Sequence, residues 1–214
     1  MHTLIGVIRH GETLWNRVGR WQGHAPVPLN EEGHAQATIL AEHLAPLAGE
    51  IAAIYSSDLL RSMQTAAPIA ERLGIPLFPE PRLREIDLGE WQGLTSNEIR
   101  AWDADRFAAV QADPLHTPRP GGESLSDVAA RGAAALEDIA RKHAGGHVLV
   151  VTHGGMIRTL LHRLQLANES QVIVGNTSLT RLRYDLKTNA WHLDAFNQMA
   201  HLEGRETVTG GHEG

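Results

Sequence analysis

Three short apolar runs in this chain each end in residues able to bind an anion. Leu4-Ile5-Gly6-Val7-Ile8 runs into Arg9-His10-Gly11-Glu12-Thr13. Ile51-Ala52-Ala53-Ile54-Tyr55 runs into Ser56-Ser57-Asp58-Leu59-Leu60-Arg61. His147-Val148-Leu149-Val150-Val151-Thr152 runs into His153-Gly154-Gly155. An arginine fork beside an imidazole suits a phosphate, because the guanidinium neutralises oxygens while a ring nitrogen can attack phosphorus. One Arg-His pair is as easily an ordinary surface turn. The same endowment at three run ends is a pattern.

The elements that must position these residues follow from periodicity. Each run is short, apolar and partly β-branched, so each predicts a buried strand. In open α/β sheets ligands bind at the C-terminal ends of strands, where these cations fall. Ser57 or Asp58 is placed to cap a helix from about Asp58 to Leu73, with Pro68 as a kink. Arg61 then lies in its first turn, and helical side chains lean back toward the N-terminus, here toward the strand end. Gly154 and Gly155 precede an apolar helix from Met156 to Leu164 and offer backbone N–H groups to an anion.

Gly11 to Leu29 is a polar loop holding Asn16, Trp21, Gln22 and Gly23. Asn30-Glu31-Glu32 opens a helix to about Leu47. Ile75–Phe78 reads as a short strand, and Leu83–Leu88 as an extended segment or turn. Thr95–Gln111 reads as one helix, with Ile99, Trp102 and Phe107 on an amphipathic core face. Ser124 caps a helix to about His143. Leu179–Asp185 and Trp191–Phe196 read as a closing hairpin, whose edge could pair in a homodimer. Strands alternating with helices predict a three-layer α/β/α sandwich with a mostly parallel central sheet. Residues 1–202 are expected to form a single domain, with a small helical lid over about residues 95–122. Glu203–Gly214 is Gly-rich and polar and reads as a disordered tail.

Composition narrows the function. A chain of 214 residues with 42% apolar content suits one domain with a full core. The net charge of −6 gives no electrostatic case for nucleic acid or a membrane surface. With no cysteine, disulfides and zinc-thiolate sites are excluded. No signal-peptide pattern or membrane-length apolar stretch is present, so a soluble cytoplasmic enzyme is expected. There is no His-Glu-x-x-His, no carboxylate cluster at ligand spacing, no Walker A loop and no Gly-x-Gly-x-x-Gly fingerprint. No metal or cofactor is therefore implied.

Further motifs extend the pattern in order: Trp15-Asn16, Trp21-Gln22-Gly23, Arg61-Ser62-Met63-Gln64-Thr65-Ala66, Arg84-Glu85-Ile86-Asp87-Leu88-Gly89-Glu90-Trp91-Gln92-Gly93, and Gly121-Gly122-Glu123-Ser124. With the three strand ends, they make the chain resemble the histidine phosphatase superfamily, in particular its phosphoglycerate-mutase-like phosphatases. The resemblance covers most of residues 3 to 185 and implies the phosphoglycerate-mutase-like fold. It implies that His10 is the nucleophile that becomes phosphohistidine. Arg9, Arg61 and a protonated His153 would hold the phosphoryl oxygens, and Glu85 would be the general acid and base. Thr13, Asn16, Gln22, Gly23 and Gly154 would approach the phosphate or substrate. Asp87 is the local rival to Glu85, since in an extended segment both face the same side; the resemblance favours Glu85.

Three function classes follow. The first is a metal-independent phosphomonoesterase acting on a small phosphorylated metabolite. The second is a 2,3-bisphosphoglycerate-dependent phosphoglycerate mutase. The third is a non-catalytic phosphate-binding module, disfavoured because nucleophile, cationic clamp and acid are all present. The mutases resemble this chain at Arg9-His10-Gly11 but typically carry a longer, more basic insert after the acid. Here Asp103, Asp105 and Asp113 nearly balance Arg100, Arg106 and Arg119. The phosphatase is the favoured reading. Spacing rules do not identify the leaving group that the lid would recognise.

Overall fold

The computed structural model describes residues 1–167 and 173–204. Among these residues, six strands form one sheet: β1 (His2–Arg9), β2 (Ile51–Ser56), β3 (Leu77–Pro79), β4 (His147–Thr152), β5 (Leu179–Asp185) and β6 (Ala190–Gln198). Their order is β3-β2-β4-β1-β5-β6. β1 to β4 run parallel, while β5 and β6 close the sheet as an antiparallel hairpin. The helices are α1 (Leu14–Arg17), α2 (Glu31–Leu44), α3 (Leu60–Leu73), α4 (Ser96–Trp102), α5 (Ala104–Ala112), α6 (Leu125–Lys142) and α7 (Gly154–Arg163).

The three layers follow from burial. β4 is apolar on consecutive positions because both of its faces are covered. Leu149 and Val151 pack with Ile8 and Ile54 against α2 and α3, while Val148 and Val150 pack with Ile5 and Val7 against α6 and α7. The helices start where the sequence places caps. Asn30 accepts the Gly33 N–H at 2.8 Å, and Ser124 and Asp127 form a reciprocal capping box. Gly132 lets α6 and α7 approach, since a Cβ there would lie 2.3 Å from Met156 Sδ.

Register brings the strand ends together. Arg9 sits opposite Thr152 across β1 and β4, and Ser56 opposite Val151 across β2 and β4. The next residues, His10, Ser57 and His153, therefore leave the sheet along one edge.

Several expected boundaries shift. The cap of α3 is Leu59 without a side-chain bond, because Ser57 turns toward His153 and Asp58 pairs with Arg84 at 2.6 Å. Pro68 lies inside α3, which continues through it to Gly74 at φ +65°. α7 begins two residues early, with His153 as its N-cap. The third strand is Leu77–Pro79, later than expected.

The helix expected over Thr95–Gln111 is two helices, broken at Asp103 (φ −138°, ψ 50°). The Asp103 carboxylate accepts from Trp91 Nε1 at 2.7 Å and from Arg106 Nε at 2.8 Å, which draws its backbone out of the helix. The break also corrects the placement of Trp102. It is 59% exposed, whereas Ile99, Phe107 and Val110 pack into the α6/α7 side of the core. Of the tail expected from Glu203, residues 205–214 lie outside the described residues. Among the described residues no helix is long and apolar enough to cross a membrane.

Candidate active site

His10 is the centre of the strand-end cluster and is 1% exposed. Its Nδ1 lies 2.7 Å from the Gly11 carbonyl oxygen. A carbonyl can only accept, so Nδ1 carries the proton and Nε2 keeps its lone pair. Arg61 Nε donates to that Nε2 at 3.3 Å. Burial, then the Arg61 and Arg9 guanidiniums, hold the His10 pKa well below its ordinary 6.5. The imidazole is thus neutral, of fixed tautomer, and inside a positive field.

The cations come from different elements. Arg61 is fully buried in the first turn of α3, as its position predicts, and donates to the carbonyls of Gly23 at 2.9 Å and Ala25 at 3.2 Å. Arg9, at the end of β1, donates to the Val174 carbonyl at 2.6 Å. Gly154 lies against it, since a Cβ there would be 3.3 Å from Arg9 Nε.

The His153 ring centroid is 5.1 Å from that of His10. Its Nε2 faces the hydroxyls of Ser57 at 2.8 Å and Ser62 at 3.3 Å. Burial, followed by Arg61 and His10, holds its pKa well below 6.5. Desolvation and the neighbouring positive charge favour the neutral ring, and the protonated form that the resemblance implies is tied to a bound phosphate dianion.

Glu85 is fully buried, at the start of α7. Its carboxylate accepts N–H bonds from Gly155 at 3.0 Å, Met156 at 3.1 Å and Ile86 at 3.0 Å. This corrects one expectation: the amides of Gly155 and Met156 at this helix start already hold the protein's own carboxyl group, so the Gly155 N–H is not open to a bound anion. Gly155 must lack a side chain, since a Cβ would lie 2.4 Å from Glu85 Oε1.

Asp87 and Glu85 differ in burial. The Asp87 side chain is 39% exposed and faces His24 at 3.9 Å, and its Oδ1 accepts the Gly89 N–H at 2.9 Å. No strand or helix covers the segment between Arg84 and Leu88, and its two carboxyl groups take different partners.

Thr13, Asn16 and Gln22 join in a buried polar network beside His10. Thr13 caps α1, and its hydroxyl lies 3.1 Å from both Asn16 Oδ1 and Gln22 Oε1. Gly23 contributes through its carbonyl to Arg61, at φ +49°.

Several residues of the site escaped sequence reading. Ser57 and Ser62 orient His153, though Ser57 reads as a helix cap. Arg131 of α6 donates to the carbonyls of Arg82 at 2.9 Å, Arg84 at 2.6 Å and Glu85 at 2.8 Å, and its Nε and Nη2 grip Glu123. It braces the segment that carries Glu85, yet on the sequence it is one more helix-face arginine. Among the described residues no group of three or more His, Asp or Glu side chains could hold a metal ion. A cavity of about 640 Å³ opens elsewhere, lined by Leu4, Gly6, His43, His147, Leu179 and His201; no member of the His10 cluster lines it.

Comparison with known proteins agrees with this geometry. The family model described as histidine phosphatase superfamily (branch 1) matches residues 5–198. The chain is 36% identical over 214 residues to an Arabidopsis thaliana protein named metal-independent phosphoserine phosphatase, covering 99% of this chain and 88% of that one. It is 37% identical over 201 residues to Arabidopsis thaliana phosphoglycerate mutase-like protein 4, covering 93% and 86%. The solved structure of Bacillus stearothermophilus YhfR superposes with a TM-score of 0.84 at 34% identity, covering 93% of this chain and 98% of that one.

Proposed function

The chain belongs to the histidine phosphatase superfamily, and from that premise we propose that it hydrolyses small phosphorylated metabolites through a phosphohistidine on His10. The enzyme is a metal-independent phosphoric monoester hydrolase, with mutase-like proteins among its relatives. The observation that carries the assignment to His10 is its neutral imidazole. Nδ1–H is tied to Gly11, Nε2 keeps its lone pair and faces Arg61 Nε, and burial with the Arg61 and Arg9 guanidiniums favours the neutral ring.

His10 Nε2 attacks phosphorus in line as the bond to the ester oxygen breaks. Arg9 and Arg61 stabilise the charge on the transferring group. His153 assists as a donor, and a phosphoryl dianion beside it raises its proton affinity again. Glu85 gives a proton to the departing alkoxide, which leaves as an alcohol. It then takes a proton from the water that attacks phosphohistidine, releasing inorganic phosphate and restoring His10. Thr13, Asn16 and Gln22 form the polar wall on the α1 side, Gly23 steadies Arg61, and Gly154 keeps clear the space beside Arg9.

The lid supports hydrolysis over mutase chemistry. Arg106 is paired with Glu90 and Asp103, and Arg100 stacks on Phe107 5.3 Å from its centroid. Arg119 is 1% exposed and donates to the Pro114 carbonyl at 2.9 Å. The lid therefore offers little outward positive charge for a second phosphate. We also place the enzyme in the cytoplasm, with β6 as the edge through which two copies can pair.

The test is hydrolysis of p-nitrophenyl phosphate in EDTA by wild type and His10→Ala. Activity lost in the variant supports the reading, and equal activity in both refutes it. Faster transfer between phosphoglycerates than to water, on adding bisphosphate, would make the mutase the correct reading.

A further inference from the structure

The peptide joining His10 to Gly11 is gripped at both ends by side chains. Its carbonyl oxygen accepts from Asn176 Nδ2 at 2.9 Å, with the Thr177 N–H at 3.4 Å. Its N–H, on Gly11, donates to Thr65 Oγ1 at 2.9 Å. The next carbonyl, that of Gly11, holds His10 Nδ1. Rotation of the gripped peptide would carry Gly11 O away from Nδ1 and release the tautomer. Gly11 cannot be restrained by a side chain of its own, since a Cβ there would lie 2.6 Å from the Gly33 carbonyl oxygen. The restraint has to come from outside.

Asn176 is suited to that task. It is 1% exposed, and its Nδ2 faces two acceptors, the His10 carbonyl and Asn16 Oδ1 at 3.5 Å, which orients the amide. Its Oδ1 has no hydrogen-bond partner among the described residues. A buried acceptor left unsatisfied is destabilising, so packing alone would favour an apolar residue at this position. What an apolar residue could not supply is the donor to His10. Residue 176 shortly precedes β5, which runs antiparallel to β1, so it arrives where β1 ends.

We propose that Asn176 is a positioning residue for the His10 nucleophile, holding the peptide that keeps the proton on Nδ1 and the lone pair on Nε2. The inference rests on His10 being the nucleophile.

The test is steady-state hydrolysis of p-nitrophenyl phosphate by wild type, Asn176→Ala and Asn176→Asp, with inhibition by inorganic phosphate and thermal melts on each. Asn176→Ala is expected to lower kcat on the order of 10²-fold, as misplacement of a reacting group does. Its Ki for inorganic phosphate, which reads the Arg9 and Arg61 clamp, is expected to change less than about threefold. In Asn176→Asp a protonated carboxyl can donate to the His10 carbonyl and an ionised one cannot. Its kcat therefore falls with rising pH in a step that Asn176→Ala lacks.

A residue needed only for packing would move Ki and Tm along with kcat and give no such step; that result overturns the proposal. So does a folded Asn176→Ala with kcat within about twofold of wild type. Thr65→Val, at the other end of the same peptide, covers the case where the Asn176 variants do not fold. It is expected to lower kcat with Ki held, with Thr65→Ser recovering most of the loss, and an unchanged kcat there counts against the proposal. A wild type inactive on the ester removes the His10 reading and this inference together, an outcome distinct from an active wild type with an equally active Asn176→Ala.

Discussion

The strand-end cluster and the surface around α5 hold their charged groups in opposite ways. In the cluster, Arg9, His10, Arg61, Glu85 and His153 are all at most 4% exposed, and their partners include main-chain groups of neighbouring elements. Around α5, Arg106, Glu90 and Asp103 meet as side chains near the surface, where both Arg106 and Glu90 are about half exposed. Backbone partners are fixed by the sheet, so they hold reacting atoms in place at little entropic cost during the reaction. Exposed ion pairs contribute little stability and re-form easily. The proposed chemistry thus sits where partners are buried and largely main-chain, and the α5 ion pairs sit where they are exposed.

The comparison breaks most sharply at His10. His10→Ala is expected to remove essentially all turnover, a loss of at least ~10³-fold measured on p-nitrophenyl phosphate, because covalent catalysis loses its nucleophile. Glu85→Gln keeps the shape and loses the transferable proton. A loss on the order of 10²–10⁴-fold is expected, and it should shrink for esters with better leaving groups. If the loss is the same for good and poor leaving groups, the acid role is wrong.

The pH profile sharpens the same contrast. His10 must be neutral to attack, and its pKa lies well below 6.5. Activity should therefore persist as pH falls through the ordinary histidine range, and kcat/KM should drop only below it. Linkage gives a companion effect on stability. A histidine with a depressed folded pKa binds its proton more readily in the unfolded chain, so stability is full above an unfolded value near 6.5 and declines as pH falls from there. His10→Ala should flatten part of that decline in Tm.

A smaller effect is expected at Arg131. Arg131→Lys loses the fork that spans the carbonyls of Arg82, Arg84 and Glu85, so kcat should fall about tenfold with KM nearly constant. The smallest is Arg106→Ala beside Glu90 and Asp103, where an exposed ion pair contributes little and Tm should barely move. Turnover of p-nitrophenyl phosphate should barely move. A large loss there would mean that the lid helps to hold the reacting groups.

The same division explains what the sequence made legible. The ends of β1, β2 and β4 stand out because apolar runs stop abruptly at charge, and parallel register converts that pattern into a cluster. Local rules failed where a residue answers to a distant partner. Ser57 has the right place for a helix cap but serves His153, and Asp58 serves Arg84. Gly154-Gly155 has the form of an anion site, and the Gly155 N–H is taken by the Glu85 carboxyl group, about seventy residues earlier in the chain. Asp103 breaks a helix whose apolar spacing continues past it, because Trp91 and Arg106 claim its carboxylate. Asn176 lies in a short polar stretch before a strand of alternating residues, and only the antiparallel pairing of β5 with β1 brings it to His10.

The most direct test of the account is to quench the wild-type enzyme during turnover of a labelled phosphate ester and locate the phosphoryl group. The expected result is an acid-labile, alkali-stable phosphate on the peptide containing His10, formed and lost fast enough to lie on the path and absent from His10→Ala. Turnover with no phosphoryl enzyme, or with the label on another residue, would contradict it.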